Sequence, residues 1–262
     1  MKFASFPKFA LLFALASALT LTLAGCGAAV SNLALTQGNW AVTATSTAPG
    51  KTVAAQTFVL GGNLTQNGNA LSGTLSITGS GCIIPQTIAF TGKVDGKNIT
   101  LTSATFDGIV ITVKASGSKD SLTGTYTITG GCPDQGTVTA GAVQSISGTW
   151  NGTVLVNTSP ATMSVVLTQS STASADGSFA LTGSVTYTNN GSGCSLTATI
   201  TPSSITGGSV VVNADLGDGG GFQYTPSLDS TTAPKNMTGD YDSSSDPCTG
   251  SDGIQAVTLT KQ

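Results

Sequence analysis

The side chains able to do chemistry in this chain are few and of few kinds. Asp240, Asp242, Ser244 and Asp246 put an oxygen at every second position, and a hard cation such as calcium is held by several such oxygens on a flexible turn. The run departs from that pattern in two places. Ser245 stands where the tight turn wants Gly, and Ser251 stands where a bidentate Glu is needed. Calcium is therefore a weak expectation at Asp240, Asp242 and Asp246, set against a solvated hairpin end in which Asp serves turn chemistry. Asp215 and Asp218, among glycines, form a second acidic stretch. Ser116 and Lys119 have the spacing of a serine and lysine pair, but that pair works on a helical turn, and here it flanks Gly117 and Ser118 at a strand end. The chain has no His, Arg or Glu, so acid or base catalysis would fall to Asp, Lys or Tyr. No Asp precedes Thr or Ser and then Gly, and no two carboxylates stand out as a glycosidase pair. The expectation is no enzyme and no cofactor.

Five cysteines remain to be placed. One of them, Cys26, follows a basic start (Lys2, Lys8) and an apolar run from Phe9 to Leu23. That run suits a signal peptide and is too short for a membrane span. It ends in Leu23, Ala24, Gly25 and Cys26, a quartet that resembles the lipobox of bacterial lipoprotein precursors. The resemblance implies that residues 1–25 are a removed signal peptide, that the Cys26 thiol carries a diacylglyceryl group, and that the new amino terminus is N-acylated, palmitate being one such acyl group. Two or more acyl chains give stable attachment where one does not. Residues 26–38 would then be a lipidated tether, with the membrane as partner and the cell envelope as location. Gly27 is not the Asp that retains many members of that family at the inner membrane, so the resemblance favours the outer membrane.

Loss of Lys2 and Lys8 with the leader leaves seven Lys against twelve Asp. With acids in excess and no run of basic residues to neutralise a row of phosphates, nucleic acid is not an expected partner. From Leu122 onward, Leu122, Gly124, Tyr126 and Ile128 share one face while Thr123, Thr125 and Thr127 share the other. A period of two is a half-buried strand. The same pattern recurs from Leu71, from Leu181 and from Met237, each time with Gly on the inward face. Gly inside a strand marks a sharp bend or a place where a neighbouring ring needs room. Turn pairs such as Asn67 with Gly68, Asp95 with Gly96 and Asp176 with Gly177 separate the strands. The class is all-β.

The chain is also duplicated. Gly38, Asn39, Trp40 matches Gly148, Thr149, Trp150, and Leu64, Thr65, Gln66 matches Leu167, Thr168, Gln169. Cys82 aligns with Cys194 and Cys132 with Cys248. Two homologous domains follow, at residues 39–143 and 147–262, each with about eight candidate strands joined by short connections. The simplest topology is an antiparallel meander closed into a barrel-like domain. Four cysteines allow three pairings. Self-contained repeats favour Cys82 with Cys132 and Cys194 with Cys248, one disulfide per domain, and a meander puts the first two at one mouth on opposite sides.

A Gly, any residue, then Trp opening the first strand of an eight-stranded meander resembles the calycins, the lipocalins and avidins. Ser147, Gly148, Thr149, Trp150 and the run Leu122 to Tyr126 are closer to the avidin style. The resemblance implies a barrel. The lipocalin Arg against that Trp is absent, and one Trp per repeat cannot build an avidin's biotin pocket. The expected function is a non-catalytic envelope lipoprotein with two β domains in a structural or binding role. The alternatives are a calycin-like carrier of a small apolar ligand, or a calcium- or glycan-binding surface module. They divide on whether the inward residues Leu71, Leu75, Phe90, Leu122 and Tyr126 fill the barrel.

Overall fold

A computed structural model describes residues 32–47, 57–156, 159–189, 191, 193–217, 220–244 and 254–262. Cys26 and the segment before it, Asp246 and Cys248 lie outside the described residues. Residues 32–262 form one compact unit, and every regular element described in it is a strand.

The first barrel comprises β1 (Gly38–Ser46), β2 (Thr57–Asn67), β3 (Ala70–Thr78), β4 (Gln86–Asp95), β5 (Asn98–Ser103), β6 (Val110–Gly117), β7 (Ser121–Thr129) and β8 (Asp134–Ala142). Each strand pairs antiparallel with the next, and β8 returns to β1. Its register fixes its girth. Gly38 pairs with Leu64, Leu64 with Gly73, Gly73 with Phe90 and Phe90 with Ser103. Ser103 faces Ile111, one step past the pair of Thr102 and Thr112. Ile111 pairs with Ile128, and Ile128 with Asp134. Asp134 stands two residues before Gly136, the partner of Ser46, so the circuit closes ten residues further along than it began. A stagger of that size tilts eight strands strongly and leaves an interior just wide enough for side chains.

The second barrel comprises β9 (Gly148–Val156), β10 (Ser159–Ala173), β11 (Phe179–Asn189), β12 (Cys194–Ile200), β13 (Ser203–Thr206), β14 (Ser209–Gly217), β15 (Gly220–Leu228), β16 (Asn236–Ser244) and β17 (Gln255–Lys261). The ring closes through β10 with β11 and β17 with β9. Eight strand positions are filled by nine segments because β12 and β13 are one strand interrupted at Thr201 and Pro202. β12 pairs with β11 at residues 184–189 and β13 pairs with it at residues 179–181, one residue out of register. Pro202 has no N–H for the ladder, which accounts for the break. The circuit of the second barrel, from Gly148 through Leu167, Gly183, Ile200, Ala214, Phe222 and Ser243, accumulates the same offset of ten. The duplication therefore extends from motif to closure geometry.

Each barrel holds its own apolar core, one around Trp40, Phe58, Phe90 and Tyr126, the other around Trp150, Tyr187, Phe222, Tyr224 and Tyr241. The inward glycines serve the bend. At Gly124 an added Cβ would run into the Lys114 carbonyl and Ala115 of β6, and at Gly183, where φ is +145°, it would meet the Val166 carbonyl of β10. At these two positions backbone fills the space the missing side chain leaves, and at the inward Gly136 of β8 the Tyr126 ring edge also lies there, 2.7 Å from where a Cβ would be.

One boundary moves. Residues 32–37, expected to be the end of the tether, are bonded onto the first barrel: the Leu33 N–H donates to the Gly96 carbonyl (2.8 Å) and the Thr36 N–H to the Lys119 carbonyl (2.9 Å).

Candidate functional site

The ends of the barrels are where an eight-stranded meander can be open, and both ends of the first barrel and one end of the second are covered from a handful of positions. At the end where β1 begins, residues 32–37 form a strap across the mouth with Leu35 buried beneath it. The Trp40 indole N–H donates to the Thr36 carbonyl (2.8 Å), the Leu35 N–H donates to Gln66 Oε1 (2.8 Å), and Gln66 Nε2 donates to the Leu33 carbonyl (3.0 Å). The second barrel repeats the device with the interdomain segment as strap. There the Trp150 indole N–H donates to the Ile146 carbonyl (2.8 Å), and the Ile146 N–H donates to Gln169 Oε1 (3.0 Å). Trp40 and Trp150 are thus core plugs at barrel ends. Gln66 and Gln169 are the polar residues that the sequence offered only as markers of duplication; their place two residues after a strand Leu in both repeats was the available signal. A Gln66→Ala variant is expected to lose about 1–2 kcal/mol from the strap. The check is hydrogen exchange at the Leu35 amide, which should quicken about tenfold while the amides of β14 stay unchanged.

At the opposite mouth Cys82 and Cys132 are joined, with Cα atoms 6.3 Å apart, linking the β3–β4 and β7–β8 connections from opposite sides. This is the pairing the duplication favours. Cys194 is not a free thiol; its expected partner Cys248 lies outside the described residues. Under the Cys82–Cys132 strap a carboxylate is buried: Asp134 accepts from the Tyr126 hydroxyl (2.6 Å) and the Ser46 hydroxyl (2.7 Å). Burial, then the bond and charge of Asp134, hold the Tyr126 hydroxyl above its ordinary range, so it stays a donor. Phe58 packs edge-on against the Tyr126 ring at 5.2 Å.

Between these mouths the first barrel is nearly full. A cavity of about 30 Å³ remains, lined only by apolar side chains including Trp40, Leu75, Phe90, Val113 and Leu122. Pockets for small molecules run to several hundred Å³. In the second barrel Tyr187, Phe222 and Tyr241 pack as a ring cluster, with centroids 5.4–6.3 Å apart. The buried Tyr224 hydroxyl donates to the Met237 carbonyl (2.6 Å), and burial raises its pKa.

Another concavity lies outside both barrels, where they meet. Turns at the strapped end of the second barrel rest on the outer wall of β1–β3. Asn39 clamps one of them: its Nδ2 donates to the Gly207 carbonyl (2.9 Å), and its Oδ1 accepts from the Gly207 N–H (2.7 Å). A Cβ on Gly61 would lie 2.8 Å from the Gly207 Cα, so the two backbones touch only because both positions are Gly. Beside this contact a groove of about 460 Å³ is lined by Thr43, Val59 and Ser76 from the first barrel and by Thr206, Ser209 and Ser227 from the second. Hydroxyl groups and aliphatic carbons can hold an uncharged ligand or peptide there; no ionisable side chain lines it.

The residues weighed for calcium lie on and beyond the end of one strand. Asp240 and Asp242 sit within β16, paired through Thr225 and Gln223 of β15, both on its exposed face. An extended strand spaces alternate residues about 6.8 Å apart, which gives neither carboxylate the curved loop a cation needs. Asp246, which would complete the set, is outside the described residues. Among the described residues no group of three His, Cys, Asp or Glu side chains gathers.

No protein-family model matches the chain, and no curated protein does. Solved structures similar to it include kievitone hydratase from Nectria haematococca (11% identity, TM-score 0.25, covering 86% of this chain and 89% of that one). They also include a structure assigned as AttH from Nitrosomonas europaea (11%, 0.24, 86% and 92%) and a porin-like protein from Bacteroides uniformis (10%, 0.19, 86% and 96%). At these TM-scores none of the three bears on activity.

Proposed function

We propose that the chain is a non-catalytic, lipid-anchored protein of the cell envelope that works through the outer surfaces of its two β-barrels. The observation that carries this reading is the first barrel. Both its mouths are strapped, one by residues 32–37 and the other by Cys82–Cys132, and its interior keeps only about 30 Å³. That volume is an order of magnitude below what a small apolar cargo needs, which weighs against the carrier alternative. The groove beside Asn39 and Gly207 is then the favoured place for a binding role. The anchor rests on the lipobox at Cys26, joined by a tether that the packing of residues 32–37 shortens to 26–31.

Mass spectrometry of the amino-terminal peptide of the mature protein tests the anchor. The expected peptide begins at Cys26 and carries a diacylglyceryl group and an N-acyl chain. A mature protein starting elsewhere, or a Cys26 with a free thiol, would reject it.

A further inference from the structure

The lysines of the chain are unevenly distributed, and the fold concentrates them further. Residues 32–143 hold five Lys and four Asp, whereas residues 147–262 hold two Lys and eight Asp. Within the first barrel, Lys93 of β4 pairs with Thr100 of β5, and Thr100 pairs with Lys114 of β6. The two lysines therefore lie in one cross-strand row, about 10 Å apart at the usual strand spacing. Lys97 occupies the β4–β5 turn and Lys119 the β6–β7 turn, both at the strapped end of the barrel, and all four side chains are exposed. Lys119 lies 3.7 Å from Asp120, which also accepts from the Thr36 hydroxyl. Asp95, beside the β4–β5 turn, is the other acid at that end. Among the described residues no carboxylate forms an ion pair with Lys93, Lys97 or Lys114. Next to this row a shallow depression of about 320 Å³ is lined by Lys114 and by the hydroxyls of Thr100, Ser116, Thr123 and Thr125; Gly124, which has no side chain, also lines it. Ammonium and hydroxyl donors around a concavity suit a phosphate group.

The chain itself brings this wall to a bilayer. Asn32 is pinned at the lysine end: its Oδ1 accepts from the Gly96 N–H (2.6 Å) and its Nδ2 donates to Asn69 Oδ1 (2.6 Å). Lys97 is the next residue after Gly96. Six residue steps separate Asn32 from Cys26, at most about 20 Å of extended chain. We propose that the wall formed by Lys93, Lys97 and Lys114, with the hydroxyl-lined depression beside Lys114, is a docking surface for anionic phospholipid headgroups. It seats the first barrel on the membrane while the acidic second barrel is repelled from it. The inference rests on the lipid-anchor reading for its biological setting but has its own readout.

The test uses residues 32–262, the compact unit, which carries no acyl chain. It is sedimented with vesicles of phosphatidylcholine alone or mixed with phosphatidylglycerol. Binding is expected only with phosphatidylglycerol and should weaken as salt is raised, since screening shortens the reach of surface charge. A basic residue near an anionic surface contributes about fivefold in affinity, so K93Q/K97Q/K114Q should bind about a hundredfold more weakly. Lys235→Gln, in the second barrel, should bind as the parent does. Equal sedimentation with both vesicles, or an unchanged triple variant, would overturn the proposal. Failure here with acyl chains found on Cys26 removes the docking surface alone, whereas vesicle binding by a chain whose Cys26 is bare removes the anchor alone.

Discussion

A chain with Cys82→Ser and Cys132→Ser is expected to lose about 4 kcal/mol of stability, the cost of reopening a loop of 50 residues in the unfolded state. The link ties the β3–β4 and β7–β8 connections across one mouth. In urea the midpoint should fall with little change in slope, the sign of altered stability without altered exposure. Loss of the strap also admits water to the buried bonds among Asp134, Tyr126 and Ser46, so exchange should quicken at the Gln135 amide, which donates to Asp134 at 2.8 Å. A loss below about 1 kcal/mol would mean that the unfolded chain is already constrained there.

Removing a tryptophan should cost a similar amount by another route. Trp40 and Trp150 are almost wholly buried, and truncating either to Ala should cost about 3–5 kcal/mol in lost burial and cavity. It also leaves the Thr36 or Ile146 carbonyl without its indole donor. The chain has two Trp, one in each barrel, so in Trp40→Ala the remaining fluorescence reports the second barrel alone, and in Trp150→Ala the first. The Asn39 clamp and the contact of Gly61 with Gly207 tie the barrels together. Fluorescence of the surviving Trp and circular dichroism of the whole chain should therefore follow one unfolding transition in each variant. Two separate transitions would show that the barrels unfold independently across that contact.

The parts of this structure that were legible in the sequence are those written in short-range periodicity. Alternation from Leu122 to Ile128 and its repeats placed the strands, and the duplication of Trp and Cys positions picked out the partner of Cys82. The strap was not legible, because Asn32 to Gln37 is too short to display a period and its bonds run to Gln66, Gly96 and Lys119, far along the chain. The clamp of Asn39 on Gly207 spans 168 positions and leaves no local trace. Asp240 and Asp242 were weighed as the opening of a calcium loop because oxygens alternate there, although the alternation from Met237 to Tyr241 already marked a strand. Pairing with Thr225 and Gln223 extends that strand through both carboxylates. Pro202 broke one strand in two without removing it, since flanking residues on both sides could still find β11.

In both repeats the segment that seals the Trp end comes just before the first strand, at residues 32–37 and again at 143–147. Each module thus carries its own stopper on its leading side. A copying event that included the stopper would append a finished unit, with no mouth left open for the next one to plug. The peptide joining the two units is the second stopper itself, so this architecture can be lengthened in tandem without inventing a linker.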